Sequence, residues 1–346
     1  MLSISWSSFE KLTFQRSALI FTPATLLFLA AHSDRRHEET FWRIAIGMAI
    51  FGTSLAAIGL IVYAFGKTDL SLAIQTLRIG PLKIVQVVTA SEPVTRISSF
   101  CSNPNALAAW LLITIPLTLA LFLGRKISAL SFTILSGMQA MALLLTFSRA
   151  GIMVAAIASA LLILLSAPSG FAFAKRVYLL IAISVVFGLL AYLFLFNSHS
   201  GLPDRFSISL AGRESAWSAS WNYFLKHPFT GVGFGVSQET ILNPIGWSAT
   251  AHNCYITVLS EIGLVGFLLF IGLWLLAIVV LVQKILSCKR QGLSRECLIL
   301  IAAASILIAL MPYQIFETTI LRSGFHMLFW IYLIALSTQS SLEVDN

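Results

Sequence analysis

A chain of 346 residues, 58% of them hydrophobic and only 10% charged, with a mean hydropathy of +0.90, carries more apolar surface than one water-soluble core can hide. Lipid must be its main solvent. The formal net charge of +8 does not point to nucleic acid, because Lys and Arg are scattered between apolar spans without a basic tract or recognition motif. The charge is read instead as positive loops that orient the spans and meet anionic lipid.

Apolar runs long enough to cross a hydrocarbon layer of about 30 Å recur along the chain. They fall near Ser17 to Ala31, Ile44 to Phe65, Ala106 to Leu123, Ala129 to Phe147, Ile152 to Ser166, Val177 to Phe196, Ile256 to Val282, Cys297 to Tyr313 and Phe325 to Leu336. The runs are continuous rather than alternating, which argues against a β-barrel and predicts an all-α transmembrane bundle of about nine spans. No removable leader is read at the start. Four segments follow: residues 1–105 with the N-terminal spans and first outer loop, 106–196 with central spans, 197–255 as a long outer loop, and 256–346 with the C-terminal spans.

Short basic loops set the orientation. Arg35, Arg36 and Arg43, then Arg125 and Lys126, then Lys175 and Arg176, then Lys284, Lys289, Arg290 and Arg295 fall between alternate pairs of spans and are expected in the cytoplasm. Alternation puts 66–105, the 148–151 turn, 197–255 and 314–324 outside. Lys11 and Arg16 fit this scheme badly, since they precede the first span on the outer side. Loops as long as the two largest outer segments are usually functional or disordered. In the longer one, Trp217, Trp221 and Phe224 recur at helical spacing from Gly212 to Lys226, predicting an amphipathic helix along the membrane surface that Pro228 and the following glycines end.

Three polar residues stand out at the outer ends of helices. Arg149 lies in a turn of a few residues between two spans, where it either snorkels to headgroups or holds an anion; the shortness of an outer turn favours the anion. Arg213 opens the surface helix, and is either solvated or adds to the positive end of the helix dipole as a phosphate-seeking group. His252, immediately before a long apolar helix, is either a hydrogen-bonded cap or a base toward a hydroxyl. Gly231, Gly233 and Gly235 lack the βαβ context of a dinucleotide fingerprint and are read as a turn allowing close backbone approach. The outer acids, Asp69, Glu92, Asp204, Glu214, Glu239, Glu261 and Glu317, form no pair at metal-ligand spacing, which favours a metal-independent reaction. The cysteines Cys101, Cys254, Cys288 and Cys297 have neither zinc nor redox spacing, and no pairing of Cys101 with Cys254 follows from sequence.

Four runs, Gly212-Arg213-Glu214, His227-Pro228-Phe229-Thr230-Gly231-Val232-Gly233, Ala251-His252-Asn253-Cys254-Tyr255 and Glu261-Ile262-Gly263-Leu264-Val265-Gly266, together resemble the O-antigen ligase superfamily, which also holds O-antigen and exopolysaccharide polymerases. Ser102-Asn103-Pro104-Asn105-Ala106 and Ser148-Arg149-Ala150-Gly151 are similar as well. Each run is short; their order and placement relative to the helices carry the match, from about Arg96 to Val282. The family usually has more spans and a cytoplasmic N-terminus, and the chain departs from both. The resemblance implies a metal-independent glycosyltransferase of the bacterial inner membrane with its active face in the periplasm. Its donor would be an undecaprenyl-diphosphate-linked glycan, and its acceptor the lipid A core or a growing polysaccharide. Arg149 and Arg213 would hold the diphosphate, His252 would be the base on the acceptor hydroxyl, and Asn253 and Tyr255 would join the substrate site. Ligase activity leads, polymerase activity is the alternative with the same donor, and a transporter is the reading from another class.

Overall fold

The computed structural model describes residues 5, 7–69, 71–88, 95–166, 213–246, 250–291, 295–322 and 324–338. The protein is mostly helical. It divides into two compact units, one of Met1–His37, Ser209–Ser287 and Leu310–Asn346, the other of Glu38–Ile208 and Cys288–Ala309.

In the first unit, α1 (Glu10–His32) packs along the last helix, α10 (Gly324–Thr338). Between them in sequence come α6 (Arg213–Lys226), the long α7 (Cys254–Gln291) and the one-turn α9 (Thr319–Arg322). Phe270 and Trp274 of α7 meet Trp330 of α10 with ring centroids 5.4 and 5.5 Å apart, and Trp274 is fully buried. α7 is broken at Gly263, whose φ of 68° and ψ of −172° no helix contains. A second core forms where Ala216 of α6 packs on Val232, Val236, Ile241, Leu242 and Ala251, with Leu12 of α1 and Trp217 at its margin.

The second unit holds α2 (His37–Phe65), α3 (Pro104–Leu123), α4 (Ala129–Leu145), α5 (Arg149–Ser166) and the start of α8 (Arg295–Tyr313). Small residues let these helices close. Gly52 of α2 lies directly on Thr114 of α3, and Gly151 of α5 sits on Ala108 of α3. One buried amide ties three helices: Gln139 of α4 donates to Thr53 Oγ1 of α2 at 2.8 Å and accepts from Thr114 Oγ1 of α3 at 3.0 Å. Packed apolar surface gives little preference for one helix register in lipid, so such bonds help to select it.

Six described helices, Glu10–His32, His37–Phe65, Pro104–Leu123, Arg149–Ser166, Cys254–Arg290 and Arg295–Tyr313, are long and apolar enough to cross a membrane. Ala129–Leu145 and His326–Thr338 are apolar but shorter. The span expected at Val177 to Phe196 lies outside the described residues, as does the loop up to Gly212. The all-α expectation needs one correction: residues 67–87 form a three-stranded antiparallel sheet in the order β1 (Lys67–Asp69), β2 (Ile74–Ile79) and β3 (Leu82–Val87). Its signal was the alternation from Ile74 to Val87 around a two-residue Gly80-Pro81 turn, with Ile79 opposite Leu82. Such short alternating strands contain no long apolar run.

Candidate functional site

The two glycine-rich motifs of the first unit are halves of one backbone crossing. Gly231, with φ of +63°, rests on the main chain of Glu261 and Ile262, while Gly263 rests on the main chain of Phe229 and Thr230. No Cβ fits at either place, and positive φ adds to the demand for glycine. The break in α7 frees carbonyls that a membrane helix cannot leave unpaired. The loop fills them: Val232 N donates to Ser260 O and Gly233 N to Glu261 O, each at 2.9 Å, and Leu264 N returns to Pro228 O at 2.7 Å. The expected turn for close backbone approach is what the glycines make.

Two carboxylates finish this crossing. Glu261 is 2% exposed and accepts from Gly235 N at 2.8 Å and Ser237 Oγ at 2.6 Å. Glu239 takes both guanidinium nitrogens of Arg16 in a fork at 2.9 and 2.8 Å, and Arg16 also donates to Gly235 O. Arg16, which with Lys11 fitted the charge rule badly, is thus a fastener between α1 and the loop rather than a free basic flank.

On this base stands the segment that carries His252. Trp217 Nε1 donates to Ala251 O at 2.6 Å, fixing α6 to the residue before the histidine. The segment runs beside residues 314–318 as a short ladder. Cys254 N donates to Gln314 O at 2.8 Å, Thr318 Oγ1 lies 3.4 Å from Thr250 Oγ1, and His252 Nδ1 lies 3.1 Å from Glu317 Oε2. His252 adopts a φ of +49°, a backbone conformation that costs energy in any residue but glycine and is held here by the bonds on either side. The imidazole is about 20% exposed and the Glu317 side chain 10%, so the pair is sheltered without being sealed. Arg213, first residue of α6, donates to Phe316 O at 3.1 Å. Arg213 and His252 therefore bind consecutive residues, Phe316 and Glu317.

Asn253 is buried and caps α7, its Oδ1 accepting from Ile256 N at 3.1 Å. Tyr255 gives its hydroxyl proton to Met311 O at 2.6 Å. Arg149 is exposed at the start of α5 in the second unit. Glu317 was among the outer acids in sequence, but nothing there joined it to a histidine 65 positions earlier. A helix forms at Arg213–Lys226, and its inner face is centred on Ala216 and Ser220 rather than on the aromatics. Trp217 turns inward to Ala251, while Trp221, 46% exposed, lies beside Phe224 at a centroid distance of 5.2 Å. Small side chains allow the close approach to the loop that the larger ones would block.

Among the described residues, no three His, Cys, Asp or Glu side chains gather as metal ligands would. Cys101 and Cys254 are both free thiols.

The helices and the polar groups at the ends of the first unit's spans define a multi-pass helical membrane protein. Residues 132–271 match the family model described as O-antigen ligase, which bears out the resemblance of the motifs to that superfamily. The match supports an O-antigen ligase-like or polymerase-like function in general, that of a membrane glycosyltransferase family. It takes in Arg149, Arg213 and His252, and ends before Glu317. Among curated proteins no match to the chain is found.

Proposed function

We propose that the protein transfers a glycan from undecaprenyl diphosphate to a hydroxyl of the lipid A core oligosaccharide, at the periplasmic face of a bacterial inner membrane. The observation that carries this reading is the His252–Glu317 pair at 3.1 Å, set beside the backbone stretch that Arg213 grips. A carboxylate only accepts hydrogen bonds, so Glu317 keeps the proton on Nδ1 and leaves the Nε2 lone pair for the acceptor. The acceptor hydroxyl gives its proton to Nε2 as its oxygen attacks the anomeric carbon. The bond from that carbon to the diphosphate oxygen breaks, and its electron pair leaves with the lipid diphosphate. Attack opposite the leaving group inverts the anomeric centre.

Charge grows on the diphosphate as that bond breaks, and a guanidinium fork answers it with charge-assisted hydrogen bonds, each contributing roughly 1.5–3 kcal/mol. Arg213 is assigned that work, and Arg149 keeps the same role on the strength of the resemblance. Asn253 and Tyr255 act through the shape of the segment, since their polar groups already serve the fold.

The test is transfer in vitro from a purified carrier-linked glycan to lipid A core acceptor, with chelator present. Wild type should remain active. His252→Ala should lose about 10²- to 10⁴-fold in kcat, the usual contribution of a general base. Full activity of both His252→Ala and Arg213→Ala would remove the site, and inhibition by chelator would remove the metal-independent mechanism. A cell lacking the protein separates the acceptors: a ligase leaves long chains on the carrier, whereas a polymerase leaves single repeats on the core. Loss of solute uptake with normal glycans would instead indicate a transporter.

A further inference from the structure

The second unit contains an arginine that neither the resemblance nor the reaction above employs. Arg96 is half-buried in the segment between the sheet and α3. Its Nε donates to Thr146 O at 2.7 Å and its Nη2 to Asn105 Oδ1 at 3.0 Å. The next residue repeats the attachment through the backbone, with Ile97 N donating to Leu145 O at 3.1 Å. Leu145 ends α4 and Thr146 is its C-cap, where helix carbonyls have no partner within the helix. Arg96 and Ile97 supply the missing donors.

Immediately beyond lies the turn that delivers Arg149. Phe147 has a φ of +50°, Ser148 N donates to Thr146 Oγ1 at 3.2 Å, and Arg149 begins α5. Left-handed backbone at a bulky residue persists only where neighbours hold it. The gripping segment is itself braced by the sheet. Ser98 Oγ donates to Val87 O at 2.9 Å, Ser99 N to Gln86 Oε1 at 3.1 Å, and Gln86 Nε2 to Gln75 Oε1 at 2.7 Å. Gln75, Gln86, Ser98 and Ser99 are all buried. The same contacts explain the Ser102-Asn103-Pro104-Asn105-Ala106 run: Asn103 Oδ1 caps α3 by accepting from Ala106 N at 2.9 Å, Pro104 takes the first helical position, and Asn105 receives Arg96.

We propose that Arg96 is a positioning residue for Arg149: its hydrogen bonds to Thr146 O and Asn105 Oδ1 tie the start of α3 to the end of α4 and thereby set the turn that presents the Arg149 guanidinium to a lipid diphosphate. This rests on the reading of Arg149 as a diphosphate ligand. Lysine cannot replace Arg96, since one ammonium lacks the planar fork that reaches two acceptors in different directions.

The test is binding of undecaprenyl diphosphate to the full chain in nanodiscs, as a double-mutant cycle. Arg149→Ala should weaken binding at least tenfold. Arg96→Ala and Arg96→Lys should each weaken it several-fold with the thermal melt nearly unchanged, and adding Arg96→Ala to Arg149→Ala should cost nothing more. Asn105→Ala removes one anchor while keeping Arg96, and should show the same coupling if Arg96→Ala does not fold. Multiplicative losses in the cycle would overturn the proposal while leaving Arg149 as a ligand, as would wild-type binding by both Arg96→Ala and Asn105→Ala. An inert Arg149→Ala would overturn the diphosphate reading itself, and the proposal with it.

Discussion

At the scale of single residues, the chemistry turns on what Glu317 does to His252. An imidazole can present either nitrogen to a substrate, and a carboxylate at 3.1 Å from Nδ1 fixes which one. Glu317→Gln keeps the size of the side chain but removes the charge and allows its amide to donate, which favours the wrong tautomer. Transfer by Glu317→Gln should fall on the order of 10²-fold in kcat with the donor KM near wild type. A fall in donor affinity with kcat unchanged would assign Glu317 to binding instead. His252 was legible as a candidate because its residue type and place at a helix start are visible in sequence. Glu317 was not, because its relation to His252 exists only once residues 314–318 lie beside 250–254.

Among elements, the break in α7 is the feature on which the site is mounted. Had α7 run straight through Gly263, Ser260 and Glu261 would have kept their carbonyls inside the helix, and the 231–233 loop would have had nothing to bond. Alanine at 263 meets both a φ of +68° and the backbone of Phe229. Gly263→Ala should therefore cost at least about 1–3 kcal/mol, read as a lowered melting temperature in detergent, and should reduce transfer. Gly272, on the same helix with open space around it, is the control: Gly272→Ala should be neutral or slightly stabilising. Equal melting of Gly263→Ala and wild type would show that the break is not required. The sequence marked Gly231, Gly233 and Gly235 as a turn, but not that their motif and the one at Gly263, about thirty residues on, are one structure. The sheet at 67–87 was missed for a different reason. Its strands are short and half-polar, and their pairing is a matter of register rather than of hydropathy.

For the whole molecule, Arg16 bears on sidedness. Its fork onto Glu239 puts the start of α1 at the same end of its unit as the 231–242 loop and His252. A tag before Met1 and a tag inserted at Gly246, a position with open space around it, should therefore be cut together when protease is added to spheroplasts. Cleavage of only one would contradict the shared end. Positive loops orient spans because free cationic side chains resist translocation. Arg16 is paired, so its place in the count of basic flanks carries less weight than the sequence suggests.

Composition and the length of the apolar runs were enough to determine a multi-pass helical membrane protein, because burying backbone polar groups in lipid leaves helices as the solution for continuous apolar segments. The motifs were enough to indicate the superfamily that residues 132–271 match. Tertiary structure decided the rest. Glu317 beside His252, Arg16 on Glu239, and Arg96 bridging Thr146 and Asn105 each join residues that sequence separates. Hydrogen bonds depend on distances of about 3 Å and on direction, and neither quantity is written in the order of residues along a chain.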